Sequence, residues 1–237
     1  GGMDAANRGE DPPTDYQAAE EDYTEALRLN KETVPGWHGR AMLRIMRGEY
    51  RSARDQDPLP DFAAAEKDLD ELEKLAARQD YVWTWRSILG LFRGSYLASR
   101  GKNALPDFDR AIRSAEEIFK AEITEVAHKR RAISSLTRGR YRMDRGDDPG
   151  ADFSRAEEDL REHLARSGGD AEGRMWRGVL RIHQGQWSAR RKEDPLPSYE
   201  AAESDLTKAV EKNRGYVRGH LWRGVARMER RDYDRAR

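Results

Sequence analysis

Arginine side chains at helical spacing are the residues of this 237-residue chain best suited to chemistry. Five of them follow one another at steps of four, three, four and three residues: Arg40, Arg44, Arg47, Arg51 and Arg54. Such steps place all five on one stripe of a helix. Guanidinium groups bind phosphates and carboxylates through paired N–H donors, so the stripe could bind a phosphate group or an acidic peptide. Partial copies of it follow at Arg131, Arg138, Arg142 and Arg145, at Arg177 and Arg181, and at Arg223, Arg227 and Arg230.

Acidic residues recur with the same regularity, which offers a second interpretation of the arginines. The recurring pairs are Glu20 and Asp22, Glu66 and Asp68, Glu157 and Asp159, and Glu203 and Asp205. An unpaired buried arginine is strongly destabilising, so a ladder of ion pairs between neighbouring helices is favoured over a free binding strip. Basic and acidic residues number 44 each. A net charge of zero gives no reason to expect nucleic acid or an anionic membrane as a partner.

Residue types that usually carry catalysis or bind metals form no pattern here. The histidines are His38, His128, His163, His183 and His220, and none belongs to a His-Glu-x-x-His zinc motif. The sequence has no glycine-rich phosphate loop, no Gly-x-Ser-x-Gly elbow and no kinase signature. It has no cysteine either, which excludes thiol chemistry and fits a reducing, cytoplasmic location. We therefore expect no catalytic activity, no metal and no cofactor.

The tryptophans could form an aromatic platform for nucleobases, but packing between helices is the favoured interpretation. They are Trp37, Trp83, Trp85, Trp176, Trp187 and Trp222.

A short phrase, consisting of an aromatic residue, two variable residues and then alanine, repeats along the chain. It begins at Tyr16, Phe62, Phe108, Phe153, Tyr199 and Tyr233, at spacings of 46, 46, 45, 46 and 34 residues. A period of this size indicates a repeat protein whose units stack in line. We predict one all-α array over 1–237, a right-handed α-solenoid of antiparallel helix-turn-helix units. The units span about 35–80, 81–125, 126–171 and 172–216, with partial units at 8–34 and 217–237.

Each unit is predicted to contain two helices. The second begins at the aromatic residue, with Asp61, Asp107, Asp152 or Ser198 as its N-cap and a preceding proline that blocks an earlier start. The first carries an arginine and a small residue, followed seven residues later by Gly48, Gly94, Gly139, Gly185 or Arg231. A glycine at such a position usually ends a helix. The residues after it are nevertheless helix-compatible, so we predict two extra turns and then a stiff Asp-Pro-Leu-Pro loop, which acts as a spacer rather than a docking edge.

The chain resembles the tetratricopeptide repeat family, which has a 34-residue helix-turn-helix unit. The last unit is the most similar, with Trp222-Arg223-Gly224 in the first helix and an inter-helix turn at Arg231-Asp232 before Tyr233. The other units are longer by 11 or 12 residues, inserted between the glycine and the second helix. The resemblance implies a concave face, lined by first helices, that binds peptides.

An apolar stripe on the first helices would line that concave face. Its candidate partner-binding residues are Met42, Met46, Ile88, Phe92, Ile133, Leu136 and Val179. An apolar groove suits a peptide with hydrophobic anchors, and methionine suits adaptable binding. The alternative, that stacking of the first helices buries the stripe as core, stays open.

We therefore expect a non-enzymatic scaffold that binds a peptide or a partner domain. Two alternatives stay open: a self-assembly module, and a regulatory or sensor region of a larger enzyme. No stretch is apolar for long enough to span a bilayer, and the N-terminus has no signal-peptide core. Gly1-Gly2-Met3 resembles a tag remnant, and both ends look cut, as in a fragment of a longer protein.

Overall fold

A computed structural model describes residues 13–75, 80–120 and 124–236. These residues form ten α-helices and no strand. The helices are α1 (Pro13–Leu29), α2 (Val34–Ala53), α3 (Leu59–Leu75), α4 (Asp80–Ser99), α5 (Leu105–Lys120), α6 (Thr124–Asp144), α7 (Gly150–Arg166), α8 (Ala171–Arg190), α9 (Leu196–Lys212) and α10 (Val217–Ala236). No helix in the described ranges is long and apolar enough to cross a membrane. Gly1-Gly2-Met3, Arg237 and residues 76–79 and 121–123 lie outside the described residues.

The predicted all-α class is confirmed, with helices that pack in sequential pairs. Contacts divide the chain into two compact units, Gly1–Ala121 and Glu122–Arg237. In the first unit α2 pairs with α3 and α4 with α5, while α1 packs against α2. In the second unit α6 pairs with α7 and α8 with α9, while α10 packs against α9. Each pair is a helical hairpin, and each hairpin has a first and a second helix.

The first helices continue through their glycines, so the predicted extra turns are confirmed. The glycines are present because the hairpin is tightly packed at that point. A Cβ atom on Gly48 would lie 2.4 Å from the Phe62 ring, and one on Gly94 would lie 2.6 Å from the Phe108 ring. Gly139 and Gly185 face Phe153 and Tyr199 in the same way. The repeated aromatic residue therefore packs directly on the backbone of the first helix.

Four loops of one design connect the helices of the hairpins. Each first helix ends with one residue in the left-handed conformation: Asp55, Gly101, Gly146 or Lys192. The amide of the following residue then donates to a carbonyl five residues earlier, as Gln56 N does to Arg51 O at 2.9 Å. This is the Schellman pattern, which satisfies the last carbonyls of a helix.

The second helices begin earlier than the sequence predicted, so their predicted N-caps are wrong. They start at Leu59, Leu105, Gly150 and Leu196. The backbone N–H of each of these residues donates a hydrogen bond to the side chain two positions earlier. These side chains are Asp57, Asn103, Asp148 and Asp194. The proline that was expected to block the helix lies in its first turn in three of the hairpins, where no N–H is needed.

The last unit also differs from its prediction. Helix α10 is continuous from Val217 to Ala236, so an inter-helix turn at Arg231-Asp232 is wrong. Tyr233 therefore belongs to the extended end of a first helix. It lies 46 residues after Trp187 and 34 after Tyr199, just as Tyr50 lies 34 after Tyr16. The 34-residue step separates two different helical positions, and the last unit has the elongated first helix as well.

Candidate functional site

The arginine stripe of α2 is bound to carboxylates of α3. Asp68 has a side chain only 2% exposed and accepts from two guanidinium groups, Arg40 Nη2 at 2.8 Å and Arg44 Nη1 at 2.7 Å. Two turns further along α2, Arg47 and Arg51 bind Asp61 of α3, at 2.6 and 2.7 Å. Each buried carboxylate therefore binds two arginines within one hairpin.

The other hairpins repeat these contacts, which confirms the predicted ladder. Asp159 binds Arg131, Asp152 binds Arg138 and Arg142, Asp107 binds Arg93, and Asp205 binds Arg177 and Arg181. We call this set, with Asp61 and Asp68, the arginine–aspartate ladder. The sequence had assigned Asp61, Asp107 and Asp152 to helix caps, although their constant spacing from an arginine was a signal for pairing.

A glutamate on the preceding second helix also binds the arginines of α2, α4, α8 and α10, whereas α5 has Ile112 at that position. Glu20 of α1 binds Arg44 at 2.8 Å and also binds Arg47. Burial opposes ionisation of Glu20, but hydrogen bonds from Arg47 and Arg44 outweigh it and lower the pKa of the carboxyl. Glu66, Glu157 and Glu203 contact Arg93, Arg181 and Arg227 in the same way. The arginines thus stabilise the packing of three successive helices, and this use of their donors does not favour the alternative of a phosphate-binding strip.

The candidate partner-binding residues fall into two groups. Ile133, Leu136 and Val179 are 7%, 3% and 3% exposed, so in this structure they offer almost no surface to a partner. Met42, Met46, Ile88 and Phe92 are only half-buried. They lie on α2 and α4, at positions one 46-residue period apart, and these two first helices contact each other. Ile88 and Phe92 also pack against the core of the first unit. We call these four residues the α2/α4 face.

The histidines are held by neighbours in both units. His163 is fully buried, with Nε2 3.1 Å from Asp170 Oδ1 and Nδ1 3.3 Å from the carbonyl oxygen of Glu125. His128 Nδ1 lies 2.8 Å from the ladder carboxylate Asp159. No group of three potential metal ligands occurs among the described residues. The contacts agree with the interpretation of these histidines as packing residues.

Five of the six tryptophans pack on a hydrophobic core, in agreement with the packing predicted for them. Trp37 and Trp85 pack on the core of the first unit. Trp176, Trp187 and Trp222 pack on the core of the second.

His38 gives the first unit a predicted sensitivity to acid. Its Nε2 accepts a hydrogen bond from Nε1 of Trp85 at 2.8 Å, so this nitrogen carries no proton. Burial lowers the pKa of His38. Below about pH 6.5 the unfolded chain therefore binds more protons at His38 than the folded chain does. The free energy of unfolding is therefore highest above that pH and decreases as the pH falls.

We expect the urea midpoint of unfolding to be lower at pH 5.5 than at pH 7.5. The decrease should be smaller in His38→Gln, whose amide oxygen can still accept the hydrogen bond from Trp85. His183, whose pKa is also lowered by burial, accounts for part of the remaining decrease. His220→Gln, at an exposed histidine, is the matched control. An equal decrease in wild type and His38→Gln would contradict the prediction.

An open cleft that no sequence pattern predicts lies among α1, α2 and α3. It has a volume of about 620 Å³ and is lined in part by Leu27, Trp37, Arg40, Lys74 and Leu75. Arg40 lies over the Trp37 ring at 5.0 Å, and Trp37 Nε1 donates to the carbonyl oxygen of Lys31. The cleft combines an apolar floor with charges of both signs.

Comparison of the chain with protein-family models, with curated proteins and with solved structures finds no match.

Proposed function

We propose that the chain is a non-enzymatic protein-interaction scaffold of tetratricopeptide-like repeats that binds an apolar peptide segment at the α2/α4 face. The observation that supports this best is the half-buried state of Met42, Met46, Ile88 and Phe92 on two adjacent first helices. At the equivalent positions of the second unit, Ile133 and Val179 are buried. The first unit therefore has accessible apolar side chains at positions where the second unit buries its apolar side chains.

The residues of the face suit a peptide partner. Methionine side chains are unbranched and polarizable, so they adapt to apolar side chains of different shapes. An amphipathic helix or an extended segment could place hydrophobic anchors against them. The arginines of these helices are held in ion pairs, Arg86 by Asp70 and Glu73 and the others in the ladder, which leaves the apolar side chains as the main source of binding energy.

A test can separate the α2/α4 face from the cleft. Peptides selected from a displayed random library against the wild-type chain are expected to be rich in apolar residues. Their affinity should fall roughly tenfold or more in Met42→Asp/Met46→Asp, because a charge would be desolvated on binding. Leu75→Asp, which places a single carboxylate in the cleft, is the control at the other candidate site and should bind as wild type does.

The reverse result, with affinity lost in Leu75→Asp and kept in the double variant, would move the binding site to the cleft and contradict the proposal. Circular dichroism checks that both variants keep their helix content. Ile88 and Phe92 are left unchanged in this test because they pack on the core.

A further inference from the structure

Helix α10 has an apolar face that no helix covers in the described part of the chain. Leu221 and Met228 are 65% and 62% exposed. The residues one period earlier, Met175 and Ile182 of α8, are both 0% exposed. Helix α8 is covered by its second helix α9, whereas α10 is followed by no second helix among the described residues. The open face of α10 is therefore the face on which a second helix packs in each hairpin.

The charges of α10 are arranged for such a helix. Arg223 and Arg227 lie one period after Arg177 and Arg181, the two arginines that bind Asp205. Arg227 and Arg230 already bind Glu203 of the preceding helix, at 2.6 and 2.8 Å. Half of a rung is thus formed, and no aspartate among the described residues takes the place of Asp205 beside Arg223 and Arg227.

Helix α1 carries the complementary surface. It has the sequence pattern of a second helix, but no first helix precedes it in the described residues. Asp22 is exposed, whereas the equivalent residues Asp68, Asp159 and Asp205 are almost fully buried. Asp15 is exposed as well, whereas its equivalents Asp61, Asp107 and Asp152 are 7% exposed or less. Ala26 is exposed where the other second helices bury a side chain.

We propose that α1 of one copy of this chain docks on α10 of a second copy and completes a hairpin between two molecules. Asp22 would bind Arg223 and Arg227, and Asp15 would bind Arg230, as their equivalents do within the hairpins. This assignment rests on charge complementarity at defined positions. The α8–α9 hairpin shows how closely the partners are matched: it has Ser198 in place of the aspartate and Gln184 in place of the arginine that would bind it.

Two residues weaken this pairing. Asp234 stands at the position of Arg51 and Arg142, where those hairpins have a second arginine for the aspartate. Arg231 stands where the hairpins have Gly48, Gly94, Gly139 or Gly185, and the aromatic ring of the second helix packs on that glycine. Tyr16 would bring its ring to the same place, so the two helices have to separate at this end. We therefore expect weak association in the micromolar to millimolar range.

The contact joins different surfaces of the two copies. Since each copy carries both surfaces, association of this chain continues beyond the dimer unless the copies close into a ring. The inference does not depend on the α2/α4 face.

Charge exchange tests the pairing. Sedimentation velocity over a concentration series should show association of the wild type that Arg223→Asp and Asp22→Arg each weaken by roughly tenfold or more. An equimolar mixture of the two variants should associate again, because every α10–α1 contact between unlike variants then joins opposite charges. Arg214→Asp and Glu21→Arg make the same charge changes at exposed positions outside the two faces and should associate as wild type does.

A gain of affinity provides the second test. Arg231→Gly should strengthen association about tenfold, because the ring of Tyr16 could then pack on the backbone of α10. Helix content and urea midpoints at low concentration show that each variant is folded. A monomeric wild type and a monomeric Arg231→Gly at the highest concentration would overturn the proposal. So would a mixture of charge variants that stays dissociated, since some other surface or partner would then have to cover α10.

Discussion

Replacing Asp152 with serine is expected to lower the free energy of unfolding by about 3 kcal/mol, the lower end of the range for breaking a buried ion pair. The Asp152 side chain is 1% exposed and binds Arg138 at 2.5 Å and Arg142 at 3.0 Å. Serine leaves both guanidinium groups near the hairpin interface without their carboxylate. The loss arises mainly from two desolvated cations rather than from the missing hydrogen bonds.

The chain itself provides the compensating variant. At the positions equivalent to Arg138, Arg142 and Asp152, the α8–α9 hairpin has Gln184, Ser188 and Ser198. A triple variant that carries this set, Arg138→Gln/Arg142→Ser/Asp152→Ser, should recover most of the stability lost by the single substitution. Urea unfolding followed by circular dichroism measures both values. If the triple variant were less stable than Asp152→Ser, the arginines would stabilise the fold through contacts other than the carboxylate.

Gly94→Val is expected to have an effect of similar size. A Cβ atom at Gly94 would lie 2.6 Å from the Phe108 ring, and Phe108 is 1% exposed. Overpacking of this kind costs about 1–3 kcal/mol, and the added γ-methyl groups place valine at the upper end. The urea midpoint is the measurement.

Gly224→Val is the matched control. Gly224 lies within α10 and a Cβ atom there would meet nothing within 4 Å, so valine should be neutral or slightly stabilising through its better helix propensity. Phe108→Ala should cost less in the Gly94→Val background than in the wild type, because the added side chain occupies part of the space that the ring leaves. Additive effects in this cycle would contradict the direct contact of Gly94 with the ring.

Much of the architecture could be predicted from the sequence because each local signal occurs several times. The four glycines inside elongated helices are an example: one glycine suggests a helix end, whereas four at one period, each followed by helix-compatible residues, favour a continuous helix. The ladder was predicted for the same reason. Charged residues that recur at fixed positions of each unit need partners of opposite charge wherever the helices pack.

The errors have physical causes as well. The helix start was misplaced because Asp61 has the side chain of a good N-cap, and only packing shows that its carboxylate faces Arg47. Tyr233 was misassigned because its phrase also occurs at Tyr50, which belongs to the other helix of a hairpin. The exposure of the apolar stripe could not be predicted, since Ile88 and Ile133 occupy equivalent positions and only the surrounding helices decide how deeply each is buried.

The glycine–aromatic contact has a consequence for how the two helices of a hairpin can align. Sliding one helix by a single turn, about 5.4 Å, would keep many of the apolar contacts, because small and apolar residues recur at helical spacing on both helices. It would also keep a guanidinium group near Asp61 and Asp68, because arginines recur at every turn of α2. The slip would instead move the Phe62 ring from Gly48 to a position that carries a side chain, so this contact selects one register among several with similar packing.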